Sequence, residues 1–116
     1  MTIQDIVTVL HADVLCGQEN LSLPAKTACC SDLMSDVLAY VKDQAVLLTG
    51  LVNPQVVRTA QMMDMICIVF VRGKKPTAEM VELAEECGIA VMCSDKRAFE
   101  ASGILYAAGL SHTGGH

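Results

Sequence analysis

Residues 66–71 read Ile-Cys-Ile-Val-Phe-Val, and with Met65 they form the longest unbroken apolar run in the chain, seven residues held between Asp64 and Arg72. A strand that is apolar at every position has to be covered on both faces, which places it in the middle of a parallel sheet with helices above and below. A membrane span needs roughly 20 apolar residues, so this run belongs to the interior of a folded domain.

The flanking segments carry the pattern of an alternating chain. Thr2 precedes Ile3, Ile6, Val7 and Leu10 at helical spacing, with Asp5 three residues on, which predicts a short capped helix. Residues 12–16 read as a strand ended by Gly17, and the polar stretch 18–26 with its Pro24 is too short for a crossover helix and reads as a loop. A strand is expected over Thr27–Cys30, then a helix capped by Ser31, with Leu33, Met34, Val37, Leu38 and Val41 as its buried stripe and Asp32 and Asp36 on its wet face. Ala45–Thr49 is a third strand, and Asn53-Pro54 is an N-cap with proline at the first helical position, leading Val56, Val57, Ala60 and Met63 inward.

After the central strand, Arg72-Gly73-Lys74-Lys75-Pro76-Thr77 turns the chain into a helix. Met80, Leu83, Ala84 and Cys87 lie on one side of it, Glu79, Glu82, Glu85 and Glu86 point outward as a solvated face, and Gly88 stops it. Residues 89–93 repeat the apolar strand. Ser94 is then the expected cap of a helix over 95–108, with Phe99, Ser102, Leu105 and Tyr106 grouped and Gly109 as its end. Strand and helix alternate three times from residue 27 onward. That order predicts an α/β fold of one domain over residues 1–110, with a mainly parallel sheet of about five strands, helices on both faces in three layers, and a flexible tail over 111–116.

Composition removes several function classes. The 116 residues carry 13 acidic and 8 basic groups, a net charge of −5, and contain no tryptophan. Nucleic acid is held largely through neutralised phosphates, commonly beside stacking aromatics, so it is not an expected partner. No membrane association is expected either, and Met1-Thr2-Ile3-Gln4-Asp5 is unlike the start of a secretory signal, which points to the cytoplasm. Six cysteines accompany an aliphatic core that needs no staples, and Cys16, Cys67 and Cys93 fall in strand-like runs, so reduced thiols packed as small hydrophobes are expected. With 53% hydrophobic residues and a mean hydropathy of +0.44, the chain has more apolar surface than a monomer readily hides, which predicts a homodimer.

In an open parallel sheet, ligands collect beyond the carboxyl ends of the strands, where loops meet helix N-termini. The residues there are small and polar: Gly17; Ser31 and Asp32; Thr49, Gly50 and Asn53; Ser94, Asp95 and Lys96. Each also reads as a cap or a turn. The turn over 73–77 stands out, because a fully buried strand delivers Lys74 and Lys75 to a helix start in an otherwise acidic chain, an arrangement suited to a phosphate or carboxylate. A solvated lysine turn is the plainer alternative. The turn is not a phosphate loop, since it lacks the first glycine of G-x-x-x-x-G-K-[ST], and Pro76 has no N–H to donate. The G-x-G-x-x-G fingerprint is absent, and no cofactor is called for. The candidate ligand-binding set is Ser31, Asn53, Gly73, Lys74, Lys75, Thr77, Ser94 and Asp95.

No spacing marks a catalytic triad, a Cys/His pair or paired carboxylates, so catalysis is not expected. Cys29 and Cys30 are adjacent and lack the C-x-x-C spacing of redox and zinc sites. Cys30, beside a helix start, and Cys93, at the sheet rim, support only a minor thiol-dependent activity as an alternative. His112 and His116 are separated by Thr113-Gly114-Gly115, which disfavours the helix that would align them on a metal, and His11 reads as a helix-end residue.

Three segments resemble the DRTGG domain family: Val57-Arg58-Thr59-Ala60, then Ile68-Val69-Phe70-Val71-Arg72-Gly73-Lys74-Lys75-Pro76, and Phe99-Glu100-Ala101-Ser102-Gly103-Ile104-Leu105-Tyr106-Ala107-Ala108-Gly109-Leu110. The resemblance covers nearly the whole chain and rests on the order of segments. Domains of this family occur alone, beside CBS domains in some pyrophosphatases and attached to phosphotransacetylases, and they are similar to the N-terminal domain of HPr kinase/phosphorylase. The resemblance implies an α/β regulatory or dimerising module with a nucleotide or another small effector as its expected ligand, and the lysine turn adds the expectation that this ligand is an anionic small molecule. It does not imply catalysis, because the kinase activity of HPr kinase resides in a separate P-loop domain. The alternative is an accessory subunit that binds a larger enzyme without a small ligand.

Overall fold

The all-apolar run becomes the strand β4 of the computed structural model, which describes residues 1–40 and 45–110. In chain order the strands are β1 (Asp13–Cys16), β2 (Thr27–Cys30), β3 (Ala45–Thr49), β4 (Cys67–Phe70) and β5 (Ala90–Cys93). They form one sheet in the order β1-β5-β4-β3-β2, parallel throughout except for the antiparallel edge strand β1. Every residue of β3, β4 and β5 is buried, as expected of strands covered on both faces.

The helices are α1 (Ile3–Leu10), α2 (Met34–Tyr40), α3 (Pro54–Met62), α4 (Ala78–Cys87) and α5 (Ala98–Ala107). Successive strand residues face opposite ways, so the sheet divides its side chains between two cores. Leu47, Ile68, Phe70 and Val91 pack under Val37, Val56, Val57, Met80 and Ala84 of α2, α3 and α4. Val46, Leu48, Val69 and Met92 pack under Ile3, Ile6, Leu10, Ala101 and Leu105 of α1 and α5. The result is a three-layer α/β domain, as the sequence predicts. Strands β2 to β5 lie side by side in chain order, and the three crossover helices all fall on one face. α1 and the returning α5 cover the other.

Local chemistry explains the element ends. Thr2 and Asp5 form a reciprocal cap on α1, Thr2 Oγ1 accepting from the Asp5 N–H at 3.2 Å and the Thr2 N–H donating to Asp5 Oδ2 at 2.8 Å. The 18–26 stretch is a connection that includes a short 3-10 turn (Gln18–Asn20) and returns along the start of α1, where the Ile3 N–H donates to the Leu23 carbonyl at 3.0 Å. Gly17 at its entrance has φ +83°, and a Cβ there would lie 2.8 Å from Ala90 Cβ, so the position has no room for a side chain.

Three expectations are corrected. Of the stripe expected for α2 only Met34 and Val37 are buried and join the core under α3; Leu38 is 42% exposed, Leu33, which lies just ahead of α2, is 58% exposed, and Val41 lies outside the described residues. α2 begins at Met34, which leaves Asp32 in the preceding loop rather than on a helix face. α5 begins at Ala98, and of the expected group only Leu105 is fully buried: Phe99 is 93% and Tyr106 70% exposed, because the inward line runs through Ala101 and Leu105. The tail over 111–116 lies outside the described residues. No helix among the described residues is long and apolar enough to cross a membrane.

Candidate functional site

Strand register builds the rim. Thr49, Phe70 and Cys93 stand side by side at the carboxyl ends of β3, β4 and β5, and Asp13, the first residue of the antiparallel β1, is paired with Cys93. The loops after β4 and β5 continue the ladder beyond the strands. The Ser94 N–H donates to the Phe70 carbonyl at 2.9 Å, the Gly73 N–H to the Ser94 carbonyl at 3.0 Å, and the Arg72 N–H to the Lys96 carbonyl at 2.8 Å. Arg72 and Gly73 reach this arrangement through left-handed backbone, with φ of +61° and +68°. The Lys74 N–H donates to the Val71 carbonyl at 3.1 Å. The main-chain donors of 72–74 are therefore already used, and an anion here meets side chains rather than a nest of free N–H groups.

Those side chains diverge at the two lysines. Lys74 turns with Arg72 and Arg97 toward an open crevice of about 560 Å³, with Asp95 on its wall. Lys75 turns the other way, into a more enclosed polar crevice of about 160 Å³ that it shares with His11, Asp13 and Asp95. Gly73, Cys93 and Ser94 line the second crevice too, and Asp95 lines both. A side chain at 73 would bring its Cβ within 3.3 Å of Asp95 Oδ1.

Behind the open crevice, Asp32 ties three elements together. Its Oδ1 accepts from the Gly50 N–H at 2.8 Å and the Thr49 hydroxyl at 3.0 Å, and its Oδ2 lies 3.3 Å from an Arg72 guanidinium nitrogen. The Gly50 hydrogen bond, followed by that of Thr49 and the Arg72 charge, holds the Asp32 carboxyl below the usual carboxylate range despite some desolvation. Arg72 lies across Gly50 so closely that a Cβ there would overlap the guanidinium. Lys96 is 3.9 Å from Glu100, and Lys74 and Arg97 have no ion-pair partner among the described residues.

The remaining candidate residues are occupied locally. Asn53 caps α3, its carboxamide oxygen accepting from the Gln55 N–H at 2.8 Å, and Thr77 caps α4, its hydroxyl accepting from the Met80 N–H at 3.2 Å. Ser31 closes a turn ahead of α2 by accepting from the Leu33 N–H at 2.9 Å. Ser94 does not cap α5, which the expected cap role requires; its buried hydroxyl donates to the Leu10 carbonyl at 2.8 Å and accepts from the Lys96 N–H at 3.2 Å, joining the end of α1 to the rim. The structure thus brings Gly73, Lys74, Lys75, Ser94 and Asp95 together and leaves Ser31, Asn53 and Thr77 as turn and cap residues. Sequence reasoning missed Arg72, Arg97, His11 and Asp13. Arg72 ends the central strand and was visible as such; the other three reach the rim only through the antiparallel β1, the end of α1 and the late start of α5.

The thiols are all free. Burial pushes the Cys93 thiol up, Asp13 and Asp95 push it further, and Lys75 opposes them in part. Burial likewise raises Cys16, Cys29 and Cys67. A separate apolar hollow of about 140 Å³ lies between α5 and the β2–β3 edge, walled by Cys29, Leu48, Leu105 and Tyr106 among others.

The sequence pattern of the DRTGG domain matches residues 5–108. The chain belongs to the DRTGG domain family. Among solved structures, this DRTGG domain is similar to the CBS and DRTGG domains of the regulatory region of Clostridium perfringens pyrophosphatase, complexed with the activator diadenosine tetraphosphate. The likeness has a TM-score of 0.74 at 17% identity and covers 90% of this chain but 45% of the other, so this chain spans less than half of that regulatory region. At that identity the likeness speaks to the fold. No curated protein matches the DRTGG chain.

Proposed function

We propose that this DRTGG domain is a non-enzymatic regulatory module that binds an anionic small molecule, a nucleotide in the first instance, at the carboxyl ends of β4 and β5. The observation that carries this reading is the convergence of Arg72, Lys74 and Arg97 on one crevice in a chain of net charge −5. Cationic groups gathered against the overall charge favour an anion there. The pyrophosphatase regulatory region, which shares the fold, is complexed with a nucleotide activator, and this supports a nucleotide as the first ligand to try. A thiol raised by burial and by two carboxylates is poorly suited to nucleophilic attack, which favours regulation over thiol chemistry at Cys93.

The experiment is thermal unfolding with adenine and guanine nucleotides and inorganic pyrophosphate, for the natural chain and the double variant Lys74→Ala/Arg97→Ala. A ligand at 100 times its Kd stabilises by about 2.7 kcal/mol, roughly 10 °C for a domain of this size. A rise with the natural chain that the double variant loses supports the site. No rise with any of these ligands overturns it.

The module is further proposed to act as a cytoplasmic homodimer that controls an enzyme. Exposed Leu33, Leu38 and Tyr106 beside the edge strand β2 support the dimer, and the neighbour's place in the regulatory region of a pyrophosphatase supports the enzyme partner. Sedimentation showing a monomer at micromolar concentration removes the dimer.

A further inference from the structure

The two crevices that meet at Asp95 carry opposite charge. The open one has Arg72, Lys74 and Arg97 against Asp95, with Asp32 behind Arg72, and is positive on balance. The enclosed one has Asp13 and Asp95 against the single cation Lys75, with His11 beside them, and offers mainly carboxylate acceptors. Both carboxylates and the lysine line this crevice together with Cys93, and Asp13 is the strand partner of Cys93. A second phosphate therefore does not belong in the enclosed crevice. A ligand that spans both must present negative charge at one end and N–H donors at the other.

Size narrows the choice. At about 160 Å³ the enclosed crevice is below the roughly 300–1,000 Å³ of complete small-molecule sites, so it takes one flat ring system and leaves the rest of the ligand to the open crevice. An ionised carboxylate only accepts hydrogen bonds and is best matched by two donors side by side. Guanine supplies such an edge through its N1–H and N2 amino group. Adenine sets one amino donor beside the ring acceptor N1, which a carboxylate repels.

We propose that the rim is one bipartite site for a guanine nucleotide, with phosphates over Arg72, Lys74 and Arg97 and the donor edge of the base on Asp13 and Asp95. The inference rests on the reading above that the rim binds a nucleotide, and it adds which nucleotide and which way round. Asp13 is the discriminating residue. It is exposed at the start of the edge strand β1 and takes no part in the Asp32–Arg72 network.

The test is titration calorimetry of GDP, ADP and inorganic pyrophosphate against the full chain and against Asp13→Asn. Asn offers a mixed donor and acceptor edge of the same shape. Expected is about tenfold tighter binding of GDP than of ADP, at the low end for a charge-assisted hydrogen bond because Asp13 and Asp95 are both exposed residues. In Asp13→Asn that ratio falls toward one while the pyrophosphate affinity stays within about twofold and the melting temperature is kept. GDP and ADP binding equally to the natural chain, or a ratio that Asp13→Asn leaves intact, overturns the base assignment alone, and pyrophosphate binding then shows the cationic crevice still standing. If none of the three binds, the nucleotide reading falls with it.

Discussion

Removing the Asp32 carboxylate is the perturbation that most directly probes how the rim is held together. Asp32→Ala withdraws acceptors from the Gly50 N–H at 2.8 Å and from the Thr49 hydroxyl at 3.0 Å, and it frees Arg72. Hydrogen bonds to a charged group contribute about 1.5–3 kcal/mol each where they are sheltered. The Asp32 side chain is 56% exposed, so water replaces part of both, and the pair with the 45% exposed Arg72 adds at most about 1 kcal/mol. The expected net loss is about 2 kcal/mol, most of it from the Thr49 hydroxyl, which is 1% exposed and is left without its acceptor. At about 2.1 cal/mol/K per residue of unfolding entropy, that lowers the melting temperature by roughly 8 °C. Asp32→Asn keeps one acceptor oxygen and loses about half as much.

The pH dependence separates charge from packing. The folded-state pKa of Asp32 lies below its unfolded value, so the carboxylate's contribution is fully present above the unfolded pKa of about 3.9 and is lost as pH falls through the folded one. Calorimetric melts should show a constant gap between the natural chain and Asp32→Ala from pH 5 to 8, narrowing below pH 4. A gap that is unchanged at pH 3, or no gap at pH 7, refutes the network as described.

Two further substitutions test the scaffold. Gly17→Ala places an L side chain at φ +83° against Ala90 and should cost about 2–3 kcal/mol, seen as a lower urea midpoint with an unchanged slope. Asn53→Ala removes the cap on α3 and should cost about 1 kcal/mol while leaving any nucleotide-induced rise in melting temperature intact; loss of that rise without loss of stability would place Asn53 in the site after all.

Much of the fold was legible because burial on both faces writes itself into a strand as unbroken apolarity. Residues 66–71 declared a central parallel strand, and β4 lies between β3 and β5. The caps at Thr2 and Asn53 and the stop at Gly88 were equally readable, since they depend on neighbours within four residues, whereas Thr77, read from the sequence as a ligand-binding candidate, is a cap of the same local kind. The reading failed where a neighbour from another element decides. Ser94 looks like a cap from its own surroundings, yet its hydroxyl is claimed by the Leu10 carbonyl 84 positions earlier. Leu33 and Leu38 have the spacing of a buried stripe, but α2 begins only at Met34, which leaves Leu33 in the preceding turn, and Leu38 stays on the exposed side of a helix whose buried line is Met34 and Val37. The site divides in the same way. Lys74 and Lys75 were visible as a pair, whereas their divergence into crevices of opposite charge is set by Arg97 and Asp95 on one loop and by Asp13 on a strand that joins the sheet antiparallel.

The sequence by itself determined the alternation of strand and helix, the central strand and the kind of chemistry available at the strand ends, because each of these is fixed by local periodicity and capping. Only the tertiary structure decided that β1 docks antiparallel beside β5, which carries Asp13 and His11 to a rim otherwise built by β4 and β5. Pairing across that distance depends on which hydrogen-bonding edges the folded sheet leaves open, and no short stretch of sequence records it.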